Sequence, residues 1–400
     1  MASDGEAGWR TEEDLAYLKR WAVQVEGHVR ELHTLAHQSG RLAIFTISST
    51  VKVPANRWPY LTPIRTIVHG HIGGVVVFSQ SQALLACSLV DGLVDMVLVD
   101  AEKKIGIQYG RPAELLQHFG ITPPPSTQIT KSYVEMGNLS AACARFLRHS
   151  KFQEFKANDI TVDAVWLQLT SWFKVLSGRK FAIIGAGNIG FKLALKLVES
   201  GSSVEIVRRD LARGMLMADV LNLVKPGSTL ATVHYNQDPL QACLYADAII
   251  GCTNGQAVIH WEMVQGLKEG GLLIDVGKGC FMAETVQRAI ESGIPIYRCD
   301  ITSSIDGLVA AMERNRAYLS VEMGRQAWTD GVCLISGGHM GLAGDLIVDN
   351  YRQPTRFFGV SDGSGDMKRQ WTEEDQRHVA WLQAQIASSR QSGERSAPEG

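Results

Sequence analysis

The chain has 400 residues, 45% of them hydrophobic, with 39 basic and 41 acidic side chains. That length accommodates two domains, and the hydrophobic fraction is that of an ordinary globular protein. A net charge of −2 excludes the broad basic field of a nucleic-acid or membrane-surface binder.

No apolar run approaches the length of a membrane span, and the opening MASDGEAGWR lacks the basic-then-apolar layout of a secretory signal. Seven cysteines, with no CxxC and no metal-like spacing, suggest reduced thiols, a cytoplasmic protein and no metal site. Cys87, Cys143 and Cys243 lie among Ala and Leu and read as buried structural thiols.

Residues 1–8 read as frayed. Thr11, Glu12, Glu13 and Asp14 look like a helix start, with Thr11 as cap and acids in the first turn. That helix should reach about His37. Strand candidates at 42–46, 74–79 and 96–100 flank a helix at 82–93, an α/β unit of parallel type. Pro123, Pro124 and Pro125 mark a loop, and 140–148 reads as a helix. A long helix pattern at 159–176, carrying Trp166, Leu169, Trp172, Phe173 and Leu176, puts a domain boundary near residue 160.

The next stretch is the most informative. Phe181, Ala182, Ile183 and Ile184 form a buried-strand pattern, followed by Gly185-Ala186-Gly187-Asn188-Ile189-Gly190 and an amphipathic helix that stops at Gly201. A second strand follows at 204–207. In such a turn the first glycine permits the sharp exit from the strand. The second lets the backbone approach a pyrophosphate, and the third lets helix and strand pack closely. The phosphates then face the positive end of the helix. The context of strand, turn, helix and strand makes this a dinucleotide site.

Strand and helix then alternate. Strands are expected at 231–235, 247–251, 272–276 and 295–299, and helices at 211–223, 239–245, 260–268 and 283–292. That is the pattern of a doubly wound parallel sheet. A helix from Ser303 to about Arg325 should lead back toward the first domain. Residues 330–365 are glycine-rich and mixed. A near copy of the first helix start, at Thr372, Glu373, Glu374 and Asp375, opens a terminal helix to about Ala387. The expected fold is therefore α/β in two domains. Residues 1–159 form an α/β substrate domain and 160–325 a Rossmann domain. Residues 326–387 form a return segment and helix packing on the first domain, and 388–400 a disordered tail.

Arg208 and Arg209 end the second strand, where NAD sites place an acid for the ribose hydroxyls. Two guanidinium groups suit a phosphate instead, which favours NADP over NAD. Cys252, Thr253 and Asn254 turn at the carboxyl end of the next sheet strand, and Asp275, Val276, Gly277 and Lys278 turn at the end of the one after. In an open α/β sheet these edges face the ligand crevice, so they are candidate neighbours of the nicotinamide. Lys278 reads equally well as solvent-facing. The expected cofactor-binding set is Gly185, Gly187, Asn188, Ile189, Gly190, Arg208, Arg209, Cys252, Thr253, Asn254, Val276 and Gly277.

The bridging helix, SGRKFAIIGAGNIG, the strand ending in Arg-Arg, ADAIIGCTNG and LLIDVGKG together resemble the two-domain NAD(P)-dependent superfamily with an amino-acid-dehydrogenase-like first domain. Shikimate dehydrogenase, glutamyl-tRNA reductase and methylenetetrahydrofolate dehydrogenase belong to it. The TNGQAVIHWEMVQGLKEGGLLIDVG stretch also resembles the NAD domain of adenosylhomocysteinase. The likeness covers about 160–300, and no single family fits. Glutamyl-tRNA reductase would need a reactive cysteine in a polar loop, whereas Cys87 sits in an apolar helix pattern. Adenosylhomocysteinase would favour an acid where Arg208 stands.

The resemblance implies a first-domain Lys facing the nicotinamide. Its nearest analogue lies in Asp100-Ala101-Glu102-Lys103-Lys104, so Lys104 (or Lys103) beside Asp100 is a candidate proton donor. His69 and His71 in VHGHIGG, and His339 in GGHMG, are further candidates, since flanking glycines suit a site loop and His titrates near neutrality. Asp300, at the end of the last sheet strand, is weaker. The His pair shows no third ligand for a metal.

The combined expectation is an NADP-dependent oxidoreductase. It would move a hydride to or from a carbonyl or imine carbon of a small polar metabolite, as a homodimer without nucleic-acid or membrane partners. Two rivals stay open. One is a lyase or hydrolase that oxidises transiently with a permanently bound NAD. The other is a non-catalytic NADP sensor.

Overall fold

A computed structural model describes residues 12–50, 58–102, 139–329 and 331–394. The chain divides into two compact units, residues 1–306 and 307–400.

The first unit contains both expected α/β layers. α1 (Glu12–Ser39) leads into β1 (Leu42–Ser49), β2 (Tyr60–Thr66) and β3 (Gly70–Val77). Then come α2 (Gln80–Val90), β4 (Met96–Asp100), α3 (Ser140–Phe146) and β5 (Lys151–Phe155). The strand order is β2-β3-β1-β4-β5, and only β2 runs antiparallel. β1, β3 and β4 are almost wholly buried, as their unbroken apolar runs require. Phe45, Ile47, Val75, Val77, Val97 and Val99 form one core with α1 and α2, around Trp21, Val25 and Leu84.

This layer corrects three expectations. β2 and β5 were not foreseen: β2 is half-polar and carries Pro63, and β5 is the short KFQEF. The VHGHIGG run is mostly strand rather than a site loop, because β3 begins at Gly70 and not at 74. Its glycines serve packing. A Cβ at Gly74 would lie 2.1 Å from Thr46 Oγ1, so β1 and β3 meet too closely there for any side chain. Thr11 and the 123–125 prolines lie outside the described residues.

α4 (Ala157–Phe173) starts two residues after β5 and leads to the second sheet. That sheet comprises β6 (Lys180–Ile184), β7 (Ser203–Val207), β8 (Val233–Tyr235), β9 (Ala248–Gly251), β10 (Leu272–Asp275) and β11 (Ile296–Arg298). All pair in parallel, in the order β11-β10-β9-β6-β7-β8. This is the doubly wound order 3-2-1-4-5-6, with its switch point between β6 and β9. The crossovers are α5 (Asn188–Glu199), α6 (Leu211–Val224), α7 (Pro239–Cys243), α8 (Trp261–Gln265) and α9 (Ala283–Glu291). Every strand and helix expected here is present.

α4 lies along α5. Asp159 pairs with Lys192, Asp163 pairs with Lys196, and Trp166 Nε1 donates to Ser200 Oγ at 3.4 Å.

α10 (Thr302–Ala317) carries the chain into the second unit, where a π-helical turn (Tyr318–Glu322) follows. Residues expected as a mixed return segment instead build a sheet of β12 (Gly324–Ala327), β13 (Cys333–Ser336), β14 (Leu346–Val348) and β15 (Phe357–Val360). α11 (Glu373–Glu394) packs Val379, Leu382 and Ile386 on this sheet's core. Its start has the expected cap: Asp375 N–H donates to Thr372 Oγ1 at 3.1 Å, and Asp375 accepts from Thr372 N–H at 2.8 Å. The strands are three or four residues long, too short to announce themselves by alternation.

Among the described residues no helix is long and apolar enough to cross a membrane.

Candidate dinucleotide site

The three glycines differ in what surrounds them. Gly185 has φ +103°, and a Cβ on it would lie 2.7 Å from the Cys252 carbonyl carbon and from Thr253 N. The turn therefore leans on the end of β9 at the switch point. A Cβ on Gly190 would lie 2.7 Å from Gly185 O and 3.1 Å from Ile183 Cγ2, so the third glycine sets how closely α5 approaches β6. Nothing lies within 4 Å of a Cβ on Gly187. The middle glycine faces open space at the start of α5, and no side chain caps that helix. An open backbone cradle at an uncapped helix start fits a pyrophosphate. Asn188 and Ile189 form the first turn there.

The arginine pair splits in role. Arg208 is half-buried; its Nη1 donates to the Ala186 carbonyl inside the glycine turn, and its Nε is buried without a partner. Tyr235 hydroxyl donates to Arg208 O at 3.0 Å and fixes the backbone. Arg209 is exposed beside it. Asp210 caps α6 by accepting from Arg213 N–H at 3.1 Å. The Arg213 guanidinium in turn faces Asp210, Nε to Oδ2 at 3.4 Å, next to Arg209 in the chain. Sequence reading missed Arg213, although its place three residues after a helix-capping Asp was a usable signal.

The other lip is built from backbone. Cys252 N–H donates to Ile184 O at 2.7 Å, and Thr253 Oγ1 donates to Gln256 O at 2.6 Å, shaping the turn that exposes Asn254. Val276 and Gly277 N–H donate to Gly251 O at 2.9 and 3.0 Å. Asp275 accepts from Gly279 N–H at 2.6 Å and Cys280 N–H at 3.2 Å. The Val276 side chain is buried in the sheet core, so this residue offers only backbone. Lys278 is exposed at φ +58°.

Burial raises the Cys252 pKa strongly, and the neighbouring Cys280, Cys299 and Asp275 add to this. Burial, then Asp300, pushes Cys299 up to about 12.

Asp100 ends β4 fully buried and accepts from Glu102 N–H at 3.0 Å. Glu102 accepts from Asn158 N–H at 3.1 Å and faces Lys192 at 3.8 Å. Asn158 Nδ2 donates to Asn188 Oδ1 at 3.2 Å. The Asp100 turn of the first layer thus adjoins the glycine helix. Burial works against ionisation of Asp159, but Lys192 and then Lys156 hold its carboxyl below the ordinary value. This network of Glu102, Asn158, Asp159 and Lys192 was not foreseen; Lys192, one turn beyond Asn188 on α5, was its only hint. Lys103 and Lys104 lie outside the described residues.

The histidines go elsewhere. His71 is opposite Ala43, whereas Val99 is opposite Ile47, so His71 and Asp100 sit at opposite edges of one sheet. The separation along the strands is roughly 16 Å. Buried His71 joins Ser39 Oγ at 3.0 Å and Thr66 Oγ1 at 3.1 Å, a structural bridge between α1 and β2. His69 pairs with Asp306 at 3.2 Å. Exposed Asp300 accepts from Thr302 and faces Arg65 at 3.5 Å. His339 belongs to the second unit, exposed in the turn after β13, and its Nδ1 accepts from Gly341 N–H at 3.1 Å.

Residues 180–279 match the family described as NADP oxidoreductase, coenzyme F420-dependent. No curated protein matches the sequence. Solved structures of similar fold include ornithine carbamoyltransferase from Gloeobacter violaceus, at 15% identity over 70% of this chain and 90% of that one, with a TM-score of 0.34. Dipicolinate synthase A chain from Bacillus subtilis is 11% identical over 68% and 79%, at 0.31. Hetero-hexameric glutamate dehydrogenase from Thermus thermophilus is 12% identical over 68% of each chain, at 0.35. Residues 180–279, which carry the glycine turn and most of the doubly wound sheet, are thus similar to an NADP oxidoreductase domain.

Proposed function

We propose that the chain is an NADP-dependent oxidoreductase that moves a hydride to or from a carbonyl or imine carbon of a small polar metabolite. The observation that carries this reading is the pairing of the open Gly187 cradle with the arginine rim after β7. The N–H groups of Asn188 and Ile189 would hold the pyrophosphate. Arg208, Arg209 and Arg213 would hold the 2′-phosphate, where an acid would have selected NAD. NADPH, when bound, supplies the hydride. The edge formed by Cys252, Thr253, Asn254 and Gly277 would shape the nicotinamide end.

Asp100, at the end of β4, and Lys104, its companion, are the proposed catalytic pair of the first layer. A cytoplasmic setting is proposed from seven unpaired cysteines.

The test is to incubate the purified protein with NADPH and a panel of small oxo acids, aldehydes and imines formed with ammonium, following absorbance of the reduced cofactor. Consumption of NADPH matched by reduced product supports the reading. Product formed with no net change in NADPH would instead mean transient oxidation by a resident cofactor.

A further inference from the structure

α4 meets α5 along one row of polar contacts, and the first of them reaches the dinucleotide turn. Asn188, Lys192 and Lys196 stand at i, i+4 and i+8 on α5, so they share a face. Asp163 pairs with Lys196, Asp159 pairs with Lys192, and Asn158 Nδ2 donates to Asn188 Oδ1 at 3.2 Å. Asn158 is itself anchored on the first layer. Its backbone N–H donates to Glu102 at 3.1 Å, and Glu102 faces Lys192 at 3.8 Å. The carboxamide that reaches Asn188 therefore projects from a backbone held at both layers.

Asn188 is the first residue of α5 and directly follows Gly187, whose surroundings are open. A carboxamide carries its carbonyl oxygen and its amino group on opposite sides of one carbon. Beside an anion the two act in opposite senses: the amino group donates to a phosphate oxygen, and the carbonyl, an acceptor only, repels it. With Oδ1 engaged by Asn158, the Asn188 amino group is turned away from α4. The contact selects one of two carboxamide orientations before any ligand arrives, and a donor ordered in advance loses less freedom on binding.

We propose that Asn158 is a positioning residue for the dinucleotide: it holds Asn188 with its amino group toward the pyrophosphate. This rests on the cofactor reading above and adds to it a residue outside the matched segment 180–279. The pyrophosphate is common to NADP and NAD, so Asn158 acts on both alike, unlike the arginine rim.

The test titrates NADP and NAD into the full chain as wild type, Asn158→Ala, Asn188→Ala and the double variant. Asn158→Ala keeps the backbone N–H that Glu102 accepts, so its thermal unfolding should match the wild type. It should weaken both dinucleotides about three- to tenfold, the effect of leaving one side chain at the site to be ordered on binding. The ratio of NADP to NAD affinity should stay as in the wild type. Asn158 acts through Asn188, so adding Asn158→Ala to Asn188→Ala should cost nothing further. A wild type that binds neither dinucleotide would overturn the cofactor reading and this proposal with it. A wild type that binds, with Asn158→Ala unchanged or losing only NADP, would overturn this proposal alone. So would losses that add in the double variant, or a fall in unfolding temperature that accompanies the loss, since either would make Asn158 a support of the fold only.

Discussion

The Arg208 guanidinium donates to the carbonyl of Ala186, the residue between the first two glycines of the dinucleotide turn. This contact ties the strand end proposed to select the cofactor to the glycine turn proposed to cradle it. The Arg208 fork is held over the turn instead of sweeping solvent, so less rotamer freedom is lost when a phosphate arrives. Arg208→Lys keeps the charge but loses the fork. It should weaken NADP binding about tenfold, the effect of losing one charge-assisted hydrogen bond. Isothermal titration against NADP checks this; wild-type affinity in the lysine variant would show that the fork is not used.

The glycines should separate into two classes. Gly185→Ala meets β9 backbone at 2.7 Å from a left-handed conformation, and should destabilise the domain by about 2–4 kcal/mol. Gly187→Ala meets nothing within 4 Å and should fold normally, yet lose about tenfold or more in cofactor affinity, because the methyl enters the space the pyrophosphate needs. Thermal unfolding and cofactor titration on both variants check the contrast. Equal effects would contradict the assigned roles.

Cys299, pushed up to about 12, holds only about one part in 10⁴ as thiolate at pH 8. Cys252 is raised by burial in the same surroundings. Neither should alkylate with iodoacetamide in the native protein, whereas both should label fully in denaturant; peptide mapping reads the difference. Cys252→Ser should keep turnover within about threefold, the outcome for a packing contact and not a nucleophile. Rapid native labelling of Cys252 would revive it as a reactive group.

Burial opposes ionisation of Asp375, but Lys368 and Thr372 outweigh it and hold the carboxyl below its usual value. A depressed folded-state pKa means stability that is present above the unfolded value near 3.9 and lost as pH falls through the folded value. Asp375→Ala should remove about 1–2 kcal/mol from the C-terminal unit at pH 7. Its difference from wild type should shrink below about pH 4. Denaturant unfolding across pH, read by Trp fluorescence, checks the sign.

His71→Ala should act on stability alone. It removes a buried ring that is hydrogen-bonded to Ser39 and Thr66, and should cost about 1–3 kcal/mol in unfolding free energy. Once a substrate is found, turnover of the folded fraction should stay at the wild-type value. A loss of turnover without loss of stability would return His71 to the site.

The dinucleotide layer was legible because each strand there is an apolar run buried on both faces and each turn has its own chemistry. The GAGNIG turn and the Arg pair each lie in a short run of consecutive residues. The first layer was harder. β2 is half-polar, β5 is short, and the glycines of β3 imitate a loop while serving close approach to β1. His71 looked functional because of those glycines and because histidine titrates near neutrality. The network of Glu102, Asn158, Asp159 and Lys192 could not be read, because its members come from three elements up to 90 residues apart, joined only by the fold. The sheet at 324–360 was missed because its strands are shorter than one period-2 pattern needs.

The central claim, that the rim after β7 selects NADP, is tested most directly by titrating NADP and NAD into wild type and into Arg208→Asp with Arg209→Ala. Wild type should bind NADP at least tenfold more tightly than NAD. The double variant should reverse or abolish that preference by losing about 2–3 kcal/mol toward NADP, with NAD changed far less. Equal affinities for the two cofactors in wild type, unchanged in the variant, would contradict the account.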